Sequence, residues 1–250
     1  MSQIRTKPYL SVVLPAFNEE LTIQKCIKRL VAEVEKFTDN YEIIVVNDGS
    51  TDDTRKLLVG LKTQYRYLKL ISYKTNKGKG HAIRRGLEKA SGELFVIMDA
   101  DLEIDPCQIK EYVKKLENAI EDDFKTAGVI GCKFDKNSKV DFPKYRRIMS
   151  LAYYGMLRAM FRFDVKDTQT GLKCFNGQMI RKVLPKLSVE GFAYDVELLT
   201  AVVRNGGKII QAPIICEYGR EVNRMSINHV LKTFEDTVRI FLSDKKGKYT

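Results

Sequence analysis

The sequence predicts an α/β fold with a mostly parallel central sheet flanked by helices and amphipathic helices toward the C-terminal end. Two observations carry this. Short, continuously apolar runs alternate with segments of helical period through the first part of the chain. Polar, acidic clusters follow three of those runs directly, where the strand ends of a parallel sheet would meet.

Taken in order, residues 9–14 (YLSVVL) read as a buried strand. Residues 19–37 follow with helical period, placing Leu21, Ile27, Leu30, Val31 and Val34 on one side. Strand 41–46 (YEIIVV), helix 51–64, strand 67–73, helix 78–90 and strand 94–98 (LFVIM) continue the alternation. Runs that are apolar on both faces belong to a sheet covered by helices on both sides. Beyond Asp105-Pro106 the pattern loosens. Pro106 suits the first position of a helix running to about Asn118. A strand is expected at 128–134, a mobile polar loop at 135–142, helices at 144–163 and around 195–204, a strand at 209–215 and a helix at 226–243. The lysine-rich end, DKKGKYT, is expected to fray.

The chain has 250 residues, of which 44% are hydrophobic and 30% charged, with a net charge of +11. That charge suits an anionic partner: nucleic acid, an acidic membrane surface or a phosphorylated substrate. No helix-turn-helix, zinc or RNA-recognition motif is present, so nucleic acid is not the expected partner. The five cysteines form no C-x-x-C pair and only two histidines accompany them, which argues for reduced thiols and against zinc. The N-terminus lacks an apolar signal region, and no apolar run is long enough to cross a bilayer. Membrane contact is therefore expected to be peripheral.

The polar clusters are Phe17-Asn18-Glu19-Glu20, Asn47-Asp48-Gly49-Ser50-Thr51-Asp52-Asp53 and Asp99-Ala100-Asp101-Leu102-Glu103. Each alone has a modest explanation; Ser50 or Thr51 can cap a helix whose dipole favours Asp52 and Asp53. Three on one sheet edge suggest a ligand crevice instead. Asp99 and Asp101 would repel one another unless a cation neutralised them, and hard divalent ions such as Mg2+ or Mn2+ prefer oxygen ligands. Asn76-Lys77-Gly78-Lys79-Gly80-His81 opens a helix whose amides favour anions, but it lacks P-loop spacing.

The segments VVLPAFNEE, VVNDGSTDDT, NKGKGHAIRRG and MDADLE, in this order, resemble family 2 glycosyltransferases with a GT-A-type, Rossmann-like fold. DTQTGLKCF and GFAYDVELL resemble the branch that transfers sugars to polyprenyl phosphates, which includes dolichyl-phosphate glucose and mannose synthases. The resemblance implies one catalytic domain over 1–250, with a nucleotide-binding half at 1–104, an acceptor and sugar half at 105–225 and a helix with basic tail at 226–250. It places Pro15, Phe17, Glu19 and Asp48 at the base and ribose, with Ala16, Val46, Gly49, Lys79, Asp99 and Ala100 completing the nucleotide site. Asp99 and Asp101 match the diphosphate–metal motif; Glu103 stands where relatives often carry Gln and is a further candidate ligand. Asp195 and Glu197 would sit near the sugar and, with Asp99 and Asp101, form the catalytic set; the alternative is a helix start favoured by its dipole. Lys133, Gln169 and Thr170 match the acceptor end. In the basic loop Arg220, Arg224 and Ser226 occupy a family R-x-x-G-x-S-K element that here lacks its Gly and Lys, so either arginine could clamp phosphate.

The expected reaction is one inverting displacement with Mg2+ or Mn2+ as cofactor. UDP-glucose is the favoured donor, because DTQTGLKCF lies nearer the glucosyl branch; GDP-mannose and UDP-N-acetylglucosamine stay open. A phosphate acceptor, with a second pKa of about 6, needs little help from a base. A saccharide hydroxyl would need Asp195 as base. A non-catalytic nucleotide-sugar or lipid-binding module is the reading of another class. In segment 144–163, Lys144, Arg147, Arg158 and Arg162 form one stripe, while Ile148, Met149, Ala152, Tyr153, Met156, Ala159, Met160 and Phe163 cover much of the rest. Such a helix lies either in a membrane interface or on the core. The expected location is the cytoplasmic face of a membrane, with room for a separate membrane-anchoring subunit.

Overall fold

The structure, a computed structural model, describes residues 7–140, 144–162, 165–217 and 227–250. Strands β1 (Leu10–Ala16), β2 (Tyr41–Asp48), β3 (Leu68–Tyr73) and β4 (Leu94–Met98) alternate with helices α1 (Ile23–Val34), α2 (Thr54–Gln64) and α3 (Lys79–Lys89). A 3-10 turn at Pro106–Gln108 leads into α4 (Ile109–Asp122), followed by β5 (Thr126–Gly131), β6 (Lys139–Val140) and α5 (Lys144–Phe161). The remainder comprises β7 (Leu172–Asn176), α6 (Gly177–Val183), α7 (Tyr194–Arg204), β8 (Lys208–Ala212), β9 (Ile215–Cys216) and α8 (Ile227–Lys245).

A seven-stranded sheet of order β3-β2-β1-β4-β7-β5-β8 runs through both halves of the chain. β7 is antiparallel to β4 and β5; the other pairings of this sheet are parallel. The chain winds outward from β1 to β3, then crosses back to β4 on the other side of β1. Crossovers that leave β1 in opposite directions open a crevice at the carboxyl ends of β1 and β4. Leu10, Val12 and Leu14 of β1 pack against α1, α2 and α4, while Val13 faces the layer that contains α3, α5, α6 and α7. This two-sided cover is why the first strands read as continuous apolar runs.

The second half departs from expectation in four places. β7 was not anticipated as a strand: Lys173 is its second residue, and a lysine argues against a buried strand until its partner is known. The expected strand at 209–215 is divided by Pro213, which has no N–H for a ladder. Within the polar stretch 135–142, Lys139–Val140 pairs with Ile215–Cys216 and the Ser138 hydroxyl accepts from the Ile214 amide at 2.9 Å, so that part of the expected loop is anchored. The lysine-rich end is not frayed: Tyr249 is 1% exposed, for reasons given below.

The α5 expectation divides. Leu157 and Phe161 enter the core, while Ile148 and Met149 are 68% and 54% exposed; Phe163 lies outside the described residues. On α8, Val230 and Phe234 are exposed and Ile240 is buried.

Candidate active site

The first two polar clusters are interlocked. Asn18, at φ 55°, accepts the Thr51 amide on its side chain at 2.9 Å, and its own amide donates to Ser50 Oγ at 3.0 Å. The Glu19 amide donates to Thr54 Oγ1 at 2.8 Å, and the Asp53 amide to Glu20 at 3.0 Å. Side chains that read as separate helix caps therefore fasten the loop after β1 to the loop after β2. Asp48, 3% exposed, accepts the amides of Lys77 and Gly78 at 2.9 and 2.8 Å and the Asn76 side chain at 3.0 Å. It anchors the turn that opens α3.

That turn carries Lys79 to Asp99, with Nζ 2.7 Å from Oδ1 and 2.9 Å from Oδ2. Burial opposes the charge on Lys79, but Asp99, Asp195 and Asp101 outweigh it and raise the pKa above the ordinary lysine value. Among the described residues Asp101 pairs with no comparable cation. Burial and the neighbouring charge of Asp99 push its carboxyl up to about 7. Leu102 follows at φ 65°, a strained conformation for a bulky residue. The turn brings the Glu103 amide back onto Asp101 Oδ1 at 3.0 Å. Strain held at this point fixes the direction of the Asp101 carboxylate.

These elements enclose a cleft of about 500 Å3. Of the expected nucleotide-site residues, Pro15, Ala16, Phe17, Glu19, Asp48, Lys79, Asp99 and Ala100 line it. Val46 and Gly49 do not. Val46 is a core residue, and Gly49 adopts φ 69° where a Cβ would meet the Asn76 amide nitrogen at 2.5 Å. Of the metal candidates, Asp99 and Asp101 line the cleft; Glu103 does not and acts on Asp101 through its amide. Among the described residues no group of three or more His, Cys, Asp or Glu forms a metal cage. A pair of carboxylates, of which only Asp99 is paired with a lysine among the described residues, fits a hard cation that takes its other oxygens from substrate and water.

Asp195 and Glu197 are not in the cleft wall. Residues two apart on a helix point in nearly opposite directions, so α7 cannot present both to one site. Asp195, 4% exposed, pairs with Lys173 at 2.8 Å. Glu197, fully buried, turns to the other side and binds the Ser188 and Val189 amides. Of the acceptor candidates, Lys133, Gln169 and Thr170 also lie apart from this cleft. The Lys133 amide and Thr170 hydroxyl both donate to Asp167, at 3.0 and 2.6 Å. Gln169 Nε2 is buried without a partner among the described residues. Arg220, Arg224 and Ser226 lie outside the described residues.

Sequence reasoning missed one wall. Gly191 and Phe192, before α7, and His229, Lys232, Thr233 and Asp236 on α8 line the cleft. The His229 and Phe192 rings meet at 5.8 Å. Helical spacing located α8, but no local pattern shows that it folds back over the ends of strands formed far earlier in the chain. Gly171 was also missed, and its flexible backbone is less important than its small size, because Asp99 fills the space beside it.

Sheet order and cleft are those of a GT-A-type α/β protein. The fold superposes on glucosyl-3-phosphoglycerate synthase from Mycobacterium tuberculosis with a TM-score of 0.68 at 21% identity, covering 94% of this chain and 79% of that one. A mannosyltransferase from Pyrobaculum calidifontis, solved with GDP-Man and Mn2+, gives 0.64 at 22% identity, covering 94% and 65%. The family model for glycosyl transferase family 2 matches residues 11–186, and the chain belongs to that family. Among curated relatives, a dolichyl-phosphate beta-glucosyltransferase from Trichomonas vaginalis is 28% identical over 96% of this chain and 75% of its own length. Its Saccharomyces cerevisiae counterpart is 31% identical over 82% and 66%. A dolichol-phosphate mannosyltransferase from Pyrococcus furiosus is 31% identical over 82% of this chain and 55% of that protein.

Proposed function

We propose that the chain transfers a hexose, with inversion, from a nucleotide sugar to a polyprenyl phosphate of the dolichyl type, and that UDP-glucose is the donor. The carrying observation is the convergence of Phe17, Glu19, Asp48, Lys79, Asp99 and Asp101 on one cleft at the ends of β1, β2 and β4. The names of the relatives support the acceptor and the glucosyl donor.

In this reading Phe17 and Glu19 receive the nucleoside on the interlocked loops. Asp101, with Asp99, would hold Mg2+ or Mn2+, which supplies neutralising charge for the departing diphosphate when bound. Lys79 keeps Asp99 in place and adds a fixed positive charge beside the phosphates. Asp195, committed to Lys173 and absent from the cleft wall, is not placed as a general base. A phosphate acceptor needs none, since its oxygen is already anionic near neutral pH. This favours lipid phosphate over a saccharide hydroxyl.

A peripheral position on the cytoplasmic face of a membrane accompanies this reading. Ile148, Met149 and Leu151 of α5 and Val230, Leu231 and Phe234 of α8 are exposed apolar side chains. The Tyr153 and Thr237 hydroxyls, 3.0 Å apart, join the two helices. No helix among the described residues is long and apolar enough to cross a membrane.

Incubating the chain with Mn2+, a short polyprenyl phosphate and each of UDP-glucose, GDP-mannose and UDP-N-acetylglucosamine tests the proposal. Formation of a lipid-linked hexose with UDP-glucose is expected. No transfer from any donor would overturn it, and exclusive transfer to saccharide hydroxyls would replace the acceptor.

A further inference from the structure

Glu197 has no exposed surface, and a carboxylate there requires several donors. Oε2 accepts the Ser188 and Val189 amides at 2.9 and 2.8 Å. Oε1 accepts Tyr249 Oη at 2.8 Å and Lys248 Nζ at 3.0 Å. The end of the chain is fastened around this point: the Asn205 side chain donates to the Tyr249 carbonyl at 2.6 Å, and Lys186 Nζ to the Thr250 carbonyl at 2.8 Å.

Residues 188–192 therefore form a ledge, held from behind by one carboxylate and two residues of the tail. The front of the ledge abuts the start of α3. The Glu190 carbonyl accepts the His81 amide at 3.1 Å. A Cβ on Gly78 would come within 2.5 Å of that carbonyl oxygen, and one on Gly80 within 2.7 Å of the Val189 oxygen. Contact this close leaves no slack, so displacement of the ledge moves the segment that carries Lys79 to Asp99. The same ledge supplies Gly191 and Phe192 to the cleft.

We infer that Glu197, Lys248 and Tyr249 are positioning residues for the donor side of the cleft, acting through the ledge on Lys79. The inference rests on the donor-site reading above.

The test compares wild type with Lys248→Met, Tyr249→Phe, Lys248→Arg and Val202→Ala. Val202 is a fully buried residue of α7 that packs beside Gly207 and serves as a control for simple destabilisation. UDP affinity with Mn2+, the KM for donor and the KM for acceptor are measured well below each melting temperature. Lys248→Met and Tyr249→Phe are expected to weaken UDP binding and raise the donor KM about tenfold, the loss typical of one charge-assisted hydrogen bond, with the acceptor KM unchanged. Lys248→Arg, which keeps the charge, should recover most of the affinity. Val202→Ala should lower the melting temperature without moving either constant. Wild-type UDP affinity in both Lys248→Met and Tyr249→Phe, or an equal loss in Val202→Ala, would overturn the inference. Failure of the wild type itself to bind UDP with Mn2+ would overturn the donor-site reading beneath it.

Discussion

Asp99 occupies the volume that a side chain at Gly171 would need. A Cβ there would lie 2.5 Å from Asp99 Oδ2 and 3.0 Å from its Cγ. The backbone cannot easily give way, because the Asp99 amide donates to the Gly171 carbonyl at 3.2 Å and Met98 pairs with Leu172 in the sheet. An antiparallel β7 is what delivers this glycine to the carboxyl end of β4.

Gly171→Ala is accordingly expected to displace the Asp99 carboxylate from Lys79. Under the proposed function, displacing this positioned carboxylate lowers kcat/KM by roughly 100-fold. Steady-state kinetics beside a melting curve checks it; unchanged kinetics would show that Asp99 tolerates displacement.

Asp101→Asn removes the cleft carboxylate that pairs with no lysine among the described residues. Nucleotide affinity in the presence of Mn2+ should fall by about 100-fold, while the weaker binding without metal stays the same. Calorimetric titration of UDP with and without Mn2+ reads both quantities.

Under the proposed function the same residue makes metal binding depend on pH. Because burial and Asp99 push Asp101 up to about 7, the metal-free protein holds a proton there at lower pH, and a cation must displace it. Affinity should fall about tenfold per pH unit below 7 and level off above it. Stability of the metal-free fold moves oppositely. Between the ordinary aspartate value of about 3.9 and 7 the folded state binds more protons than the unfolded, so this group's contribution improves as pH falls through that window. Metal titrations at several pH values, repeated on Asp101→Asn, test both signs.

Glu42 governs stability at the opposite end of the sheet. The residue is 2% exposed, and its side chain accepts Ser11 Oγ at 2.6 Å, the Ser91 amide at 2.7 Å and Lys69. Burial alone would raise its pKa, but the bonds from Lys69, Ser11 and Ser91 prevail and hold it below the usual glutamate range. Its stabilisation is therefore complete above the ordinary glutamate value and is lost as pH falls through the depressed one. Glu42→Gln should destabilise by about 1–3 kcal/mol at pH 7 with the kinetics intact, and the difference should shrink in acid. Denaturant unfolding at both extremes measures it.

The alternation from β1 to β4 was legible because strands covered on both faces must be apolar throughout, and that pattern survives in the linear sequence. Phe17, Glu19, Asp48, Lys79, Asp99 and Asp101 were legible for a related reason: each ends a strand, lies just beyond one or opens a helix, so topology alone sends it to the crevice. β7 was not, since Lys173 looks like a surface residue until Asp195, from another element, arrives 2.8 Å away. Asp195 and Glu197 read as a pair, yet helix geometry sends one toward Lys173 and the other toward the tail. Composition made DKKGKYT a solvated end, whereas Lys248 and Tyr249 find a buried carboxylate on α7. Local pattern therefore determined β1 to β4, the edge at which the crevice opens and the residues that those strand ends bring to it. Only tertiary structure decided which buried charges are neutralised, and by whom, because the partners of Lys173 and Glu197 lie at sequence distances over which no periodicity carries information.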